Sequence, residues 1–174
     1  LNSNELTDLA VIRSISVISN LTSHCESAAK YLCEENRPLN ILELMKNLDP
    51  LFYKPALKCM TKLTENKETA RTFVENKGTS VLLKFLSSED EVTIGNTALC
   101  LSHLCQVEKF CTKLTKTNVI QKLLVLARDG RKPAVQANCA ILIGKLVQGD
   151  SRHLERLREL NGIEILHGCM KHVT

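Results

Sequence analysis

Four segments of this chain close in the same way, and their spacing limits the fold more than any other feature. Ser16-Val-Ile-Ser-Asn-Leu21, Lys58-Cys-Met-Thr-Lys-Leu63, Leu99-Cys-Leu-Ser-His-Leu104 and Ile141-Leu-Ile-Gly-Lys-Leu146 end in leucines 42, 41 and 42 residues apart. Counting back three, four and seven positions gives one stripe per segment. The stripes are Ser14-Val17-Ile18-Leu21, Ala56-Cys59-Met60-Leu63, Thr97-Cys100-Leu101-Leu104 and Cys139-Leu142-Ile143-Leu146. Those offsets share one helical face, and a small residue at its start lets neighbouring helices approach closely. A period of this length means stacked repeats, each burying its apolar face only against its neighbours.

A second series follows each stripe by about 15 residues. Glu35-Asn-Arg-Pro-Leu-Asn-Ile41, Glu75-Asn-Lys-Gly-Thr-Ser-Val81, Lys116-Thr-Asn-Val-Ile120 and Glu159-Leu-Asn-Gly-Ile163 each mark a turn. Gly78 and Gly162 are expected to supply the positive φ that ends a helix, with Asn118 standing in for glycine. After each turn an apolar helix begins, with matched pairs Ile41/Leu44, Leu83/Leu86, Leu123/Leu126 and Leu166/Cys169. Before each turn lies a shorter amphipathic helix with Leu32, Val74, Leu114 and Leu157 in one column. Each period therefore holds three helices. Asp49-Pro50, Ser87-Ser88-Glu89-Asp90 and Asp129-Gly130-Arg131-Lys132-Pro133 separate the second from the third. Pro55 and Pro133 are expected near the start of third helices, where a missing N–H costs least. Asp150 or Ser151 is the expected N-cap of the helix holding Leu154 and Leu157.

Three helices per roughly 42 residues, with a Leu-x-Asn-Leu-like close on the third, resemble the armadillo repeat; HEAT repeats are the related alternative. The resemblance implies an all-α fold, a right-handed α-solenoid of about four armadillo-like three-helix repeats. The units fall at 1–21 (partial), 22–63, 64–104, 105–146 and 147–174 (partial), within one domain over 1–174. The first complete feature is a third helix and the last a second helix, so the expected piece is one truncated N-terminally from a longer protein. Composition agrees. Four Phe, two Tyr and no Trp, with seven Gly and four Pro in 174 residues, disfavour a β-sandwich or barrel. No apolar run reaches the roughly 18 residues that span a bilayer, so no membrane partner is expected.

The eight cysteines include no Cys-x-x-Cys pair, so the commonest structural zinc spacing is missing. Repeat columns explain five of them as small buried hydrophobes. Cys59 and Cys100 align with Val17 and Leu142, and Cys139 with Ala56. Cys169 aligns with Leu44, Leu86 and Leu126, and Cys111 with Ala29 and Leu154. Reduced thiols in a cytoplasmic protein fit this pattern. His167-Gly-Cys169-Met-Lys-His172 is the sharpest metal candidate but has no evident fourth ligand. His103 and Cys105 point apart on a helix, and Glu89-Asp90-Glu91 reads as a solvated loop. Neither a phosphate-binding glycine loop nor His-Glu-x-x-His occurs. The expectation is no enzyme, no cofactor and no metal.

In armadillo proteins the third helices line a concave groove, and an Asn just before the closing Leu holds a peptide backbone. That column here reads Asn20, Lys62, His103, Lys145. The column four residues earlier, where peptide-binding members place Trp, reads Ser16, Lys58, Leu99, Ile141. The column eight before the leucine reads Arg13, Pro55, Asn96, Asn138. Recognition of basic import signals through Trp and Asn arrays is therefore disfavoured. Four of these twelve positions are Lys or Arg and none is acidic, so the expected site is a basic groove of Arg13, Asn20, Lys58, Lys62, Asn96, His103, Asn138 and Lys145. Its expected ligand is an acidic, extended segment of a protein partner. A nucleic-acid-binding α-solenoid is the alternative, but it wants stacking aromatics at repeat spacing. A net charge of +4 is also modest for such a role. Finally, residues 126–147 and Arg152 to Lys171 look like the armadillo region of proteins that join tetratricopeptide repeats to armadillo repeats, as the UCS myosin chaperones do. That resemblance implies a cytoplasmic co-chaperone whose partner is a chaperone or a client in axonemal dynein arm assembly, a step towards cilia.

Overall fold

A computed structural model describes residues 3–47 and 49–170, with side chains for 5–47 and 49–168. Among them only helices occur as regular structure. They group into two compact units, divided in the sequence between Val81 and Leu82. The first holds α1 (Ser3–His24), α2 (Glu26–Leu32), α3 (Arg37–Lys46), α4 (Pro50–Leu63), α5 (Lys67–Glu75) and the start of α6 (Gly78–Phe85). The second holds the end of α6, then α7 (Glu91–Leu104), α8 (Phe110–Leu114), α9 (Val119–Asp129), α10 (Pro133–Gly149), α11 (Arg152–Glu159) and α12 (Gly162–Met170).

Long third helices form the middle of each unit: α1 packs on α4, and α7 on α10. Second helices lie across them, α3 on α4 and α9 on α10, and α12 in turn touches α9. Three of the four stripes face this core as the sequence predicts. Ala56, Cys59, Met60, Leu63, Ala98, Cys100, Leu101, Leu104, Cys139, Leu142 and Leu146 are fully buried. Each fully buried leucine contributes about 2 kcal/mol.

The first stripe is out by one residue. Ile15, Ser19 and Thr22 are buried, whereas Val17 and Leu21 are 57% and 52% exposed. The cause is Thr22. Its hydroxyl donates to the carbonyls of Ile18 (2.6 Å) and Ser19 (3.1 Å), so the polar atom is satisfied within the helix and the residue packs as a small hydrophobe. It also meets the Cys59 thiol at 3.4 Å. Thr22, not Leu21, is thus the repeat equivalent of Leu63.

The turns also differ from expectation. No glycine has positive φ; the left-handed residues are Glu35, Lys77, Lys109 and Asn161. Two of these immediately precede Gly78 and Gly162, which instead begin α6 and α12. Asn118 has φ −87°, so it is not left-handed either. What these glycines supply is room. A Cβ on Gly78 would run into the ring of Phe73, and one on Gly162 would meet Leu157 and lie 2.9 Å from Leu124 Cδ1.

Helix starts follow capping chemistry. Pro50 is the first residue of α4, and the Asp49 carboxylate accepts from the Leu51 amide at 2.9 Å. Pro55 therefore sits inside α4 rather than near its start, where it removes the amide that would bond the Leu51 carbonyl. Pro133 does open α10. Asn66 caps α5 and Asp90 caps α7, each through its side chain. Before α11 it is Asp150, not Ser151, whose carboxylate takes the Arg152 amide, at 3.1 Å.

Smaller shifts occur in the short helices. Leu82 in α6 and Leu86 just after it are buried, with Leu83 half-buried. In the first-helix column Phe73 replaces Val74 as the buried residue, and in the column of Ala29 and Cys111 His153 replaces Leu154. The His153 ring is admitted because its Nε2 lies 2.8 Å from the Cys111 carbonyl oxygen.

Candidate functional site

The third helices supply the polar faces that the sequence singles out, one in each unit. In the first unit, Lys58 Nζ on α4 donates to Asn20 Oδ1 on α1 at 3.1 Å. Both residues are exposed, as is Arg13 about two helical turns before Asn20 on α1. Lys62 is half-buried, and its ammonium pairs with Glu65 at 2.5 Å. That carboxylate, with a smaller effect of Glu26, holds the Lys62 pKa above its usual value. Lys62 is thus largely neutralised, while Lys58 meets only a neutral amide.

The one-residue shift in α1 changes which residues share a column with Lys58 and Lys62. Those positions are held by Val17 and Leu21, not by Ser16 and Asn20. Asn20 therefore does not occupy the peptide-holding column that its place before Leu21 suggests. Arg13 likewise leaves its column, which Ser14 takes. Asn20 serves instead to fix the Lys58 side chain.

In the second unit the face is different in kind. Asn138 Nδ2 donates to the Gly95 carbonyl at 3.1 Å, and Lys145 Nζ donates to the Ser102 carbonyl at 3.1 Å. Both groups on α10 are tied to the backbone of α7, near the C-terminal end of that helix in the case of Lys145. A cation there is favoured by the unsatisfied carbonyls of the last turn. Asn96 and His103 are half-buried on α7, and Ile141 is 50% exposed on α10. This face offers amides, one anchored ammonium and an aliphatic patch. Neither face carries a Phe, Tyr or Trp in the candidate columns. The exposed Tyr31 ring is covered by the Arg37 guanidinium at 3.9 Å.

Groups that could support chemistry are used structurally. Cys59, Cys100, Cys111 and Cys139 are buried, as the repeat columns predict; the side chain of Cys169 lies outside the described residues. Burial pushes the Cys139 thiol up to about 12. Cys105 donates to the Leu101 carbonyl at 3.4 Å, and a hydrogen bond with the Cys111 thiol together with burial raises its pKa strongly. It is no match for an activated nucleophile. In the acidic loop, Asp90 accepts from the amide and hydroxyl of Thr93, and Glu91 accepts from the Arg131 amide at 2.5 Å. The 780 Å³ cleft beside them mixes Glu89 and Asp129 with Arg131 and Lys132. Among the described residues no three His, Cys, Asp or Glu side chains could hold a metal ion. The His167–His172 candidate falls largely outside those residues. No described helix is long and apolar enough to cross a membrane.

Comparison with known proteins gives a consistent picture. No family model matches the chain. Tetratricopeptide repeat protein 12 of Homo sapiens is 43% identical over 122 residues, covering 68% of this chain. The protein of the same name from Mus musculus is 38% identical over the same length. The chain spans only 17% of the length of these relatives. A designed armadillo repeat protein superposes with a TM-score of 0.76 at 18% identity, over 94% of this chain and 67% of the other. A second, solved in complex with the peptide (KR)4, gives 0.74 at 18% identity, over 94% of this chain and 68% of the other.

Proposed function

We propose that this chain, an armadillo-repeat α-solenoid related to tetratricopeptide repeat protein 12, is a non-enzymatic protein-interaction scaffold that binds an acidic, extended segment on the third-helix face of its first unit. It is, in this reading, the armadillo module of a cytoplasmic co-chaperone that serves axonemal dynein arm assembly. The observation that carries the binding reading is Lys58: exposed, held in place by Asn20, and with no carboxylate among the described residues on its ammonium. Arg13 adds a second exposed cation to that unit's face. A ligand carboxylate would gain a charge-assisted bond there without first displacing an internal one. Nucleic acid fits less well, because neither face offers Phe, Tyr or Trp rings at repeat spacing on which successive bases could stack.

The test is fluorescence anisotropy with a labelled Glu/Asp-rich peptide of about ten residues, measured at 50 and 200 mM salt. Loss of an exposed ion pair costs up to about 1 kcal/mol, so Lys58→Glu is expected to weaken binding about fivefold. Higher salt is expected to weaken the parent complex as well. Lys62→Gln is expected to change little, since that charge is already paired. Equal affinity of parent and Lys58→Glu, with helicity unchanged by circular dichroism, would remove the acidic-ligand reading.

A further inference from the structure

The end of α7 and the short helix α8 bring two thiols together within the second unit. Cys105 caps α7 and is half-buried; Cys111 lies in the first turn of α8 and is 5% exposed. Both are free thiols, and their sulfurs share a hydrogen bond. Tight turns carry the chain from one to the other. The Val107 amide donates to the Leu104 carbonyl at 2.9 Å and the Phe110 amide to the Val107 carbonyl at 3.1 Å, with Lys109 left-handed at φ 58°. The local fold therefore sets the meeting of the two sulfurs.

The next repeat encloses the pair. A Cβ on Gly149 would run into the Cys111 sulfur, so the missing side chain makes its room. That sulfur lies 3.9 Å from the Lys145 carbonyl oxygen on α10. The Cys111 carbonyl oxygen is 2.8 Å from His153 Nε2, and the Thr112 hydroxyl donates to the Asp150 carboxylate at 2.8 Å. The Lys145 ammonium, held on the Ser102 carbonyl, adds positive charge beside Cys105. Their shared hydrogen bond raises the Cys105 pKa and lowers that of Cys111. The proton thus stays on Cys105, and Cys111 is the thiolate of the pair.

We propose that Cys105 and Cys111 form a redox-responsive modification site, a dithiol that a hydroperoxide converts to a disulfide and a small thiol restores. The Cys111 thiolate attacks one hydroperoxide oxygen; the S–O bond forms as the O–O bond breaks. The other oxygen leaves as an alcohol, or as water from hydrogen peroxide, with the proton that Cys111 released. The Cys105 sulfur then attacks the Cys111 sulfenic acid. The S–S bond forms, the S–O bond breaks, and hydroxide leaves as water with the Cys105 proton. Two electrons pass from the sulfurs to the oxidant. Exchange with two equivalents of a small thiol returns both cysteines and yields the small disulfide. As a disulfide, the pair ties the seam of α8 with α10 and α11 to the end of α7.

The test treats the intact chain with hydrogen peroxide, blocks remaining thiols with N-ethylmaleimide in denaturant, and maps tryptic peptides by mass spectrometry. Cleavage after Lys109 and Lys113 separates the two cysteines. The first disulfide to form is expected to join peptide 110–113 to the peptide ending at Lys109. That second peptide also holds Cys100, and fragmentation is expected to place the link on Cys105 with Cys100 blocked. Dithiothreitol is expected to remove the link. Cys105→Ser is expected to abolish it and to leave on Cys111 a sulfenic acid that dimedone traps. A first disulfide through any other pair, or no disulfide at all, overturns the proposal. So does a link to Cys111 that survives Cys105→Ser, or the absence of a dimedone adduct on Cys111 in that variant.

Discussion

Replacing Gly78 by alanine tests the claim that the turn glycines serve for close approach rather than for backbone freedom. Gly78 opens α6 with φ outside the left-handed region, so alanine meets no backbone strain. Taken alone, the change would stabilise the chain by about 0.4–1 kcal/mol through the unfolded state. Against this, the new Cβ overlaps three atoms of the Phe73 ring. Phe73 is 1% exposed and has no space into which to swing. Overpacking of this kind costs about 1–3 kcal/mol, so the net expectation is a loss of about 1–2 kcal/mol. For a chain of this size that lowers Tm by roughly 3–6 °C. Gly144→Ala is the matched control, since nothing lies within 4 Å of its Cβ position and the residue sits mid-helix in α10. It is expected to raise stability by about 0.5–1 kcal/mol. Urea and thermal unfolding followed by circular dichroism measure both. In the background of Phe73→Leu the cost of Gly78→Ala is expected to shrink by more than about 0.5 kcal/mol, because the two sites touch. A Gly78→Ala variant as stable as the parent would refute the steric account and return the glycine to a conformational role.

The register of α1 predicts that Leu21→Ala changes stability by less than about 0.5 kcal/mol, whereas Leu63→Ala, at a fully buried site, costs about 2–5 kcal/mol; denaturant melts of the two decide it. Iodoacetamide at pH 8 is expected to label Cys25 first, because the Ser27 hydroxyl and neighbouring backbone amides lower its pKa, and to reach Cys139 only after unfolding; peptide mapping by mass spectrometry follows the order. The Arg152 guanidinium, then the Thr112 hydroxyl, hold the Asp150 carboxyl well below the usual carboxylate range. Its stabilising effect is therefore complete above about pH 4, the unfolded value, and is lost as pH falls towards the depressed one. The stability gap between parent and Asp150→Asn should be flat from pH 5 to 8 and close below pH 4 in urea titrations.

Three helices per period, the order of those helices and most of the buried stripes were legible in the sequence because a solenoid repeats its constraints. An apolar residue that recurs at 41 or 42 positions is held there by the same neighbour each time. The misplaced first stripe shows where that logic stops. Leu21 looks like the anchor on hydrophobicity, but Thr22 is buried because a threonine can bond the carbonyl four residues back, a satisfaction that polarity scales do not register. That single step moved Asn20 out of the candidate peptide column and put Val17 and Leu21 in the columns of Lys58 and Lys62. The charge count failed for a related reason. Four cations in twelve positions suggested a basic groove, yet Lys62 is paired with Glu65 just beyond the closing leucine, and Lys145 is anchored to a backbone carbonyl of α7. Partners outside the counted columns decided both.

Four of the buried hydroxyls share a habit with wider reach than the register of α1. Thr22, Thr64, Thr97 and Ser102 all donate to carbonyls of their own helices, three or four residues back. Across the contact with a neighbouring helix they therefore ask for no complementary donor or acceptor, only for a surface of fitting shape. Repeats joined in this way are interchangeable parts. A unit can be duplicated, lost or exchanged for a relative from elsewhere in such an array, and at these hydroxyls the new junction has volumes to match and no polar bonds to restore. Drift of sequence between repeats, to the point where their kinship shows only in spacing, is what such junctions permit.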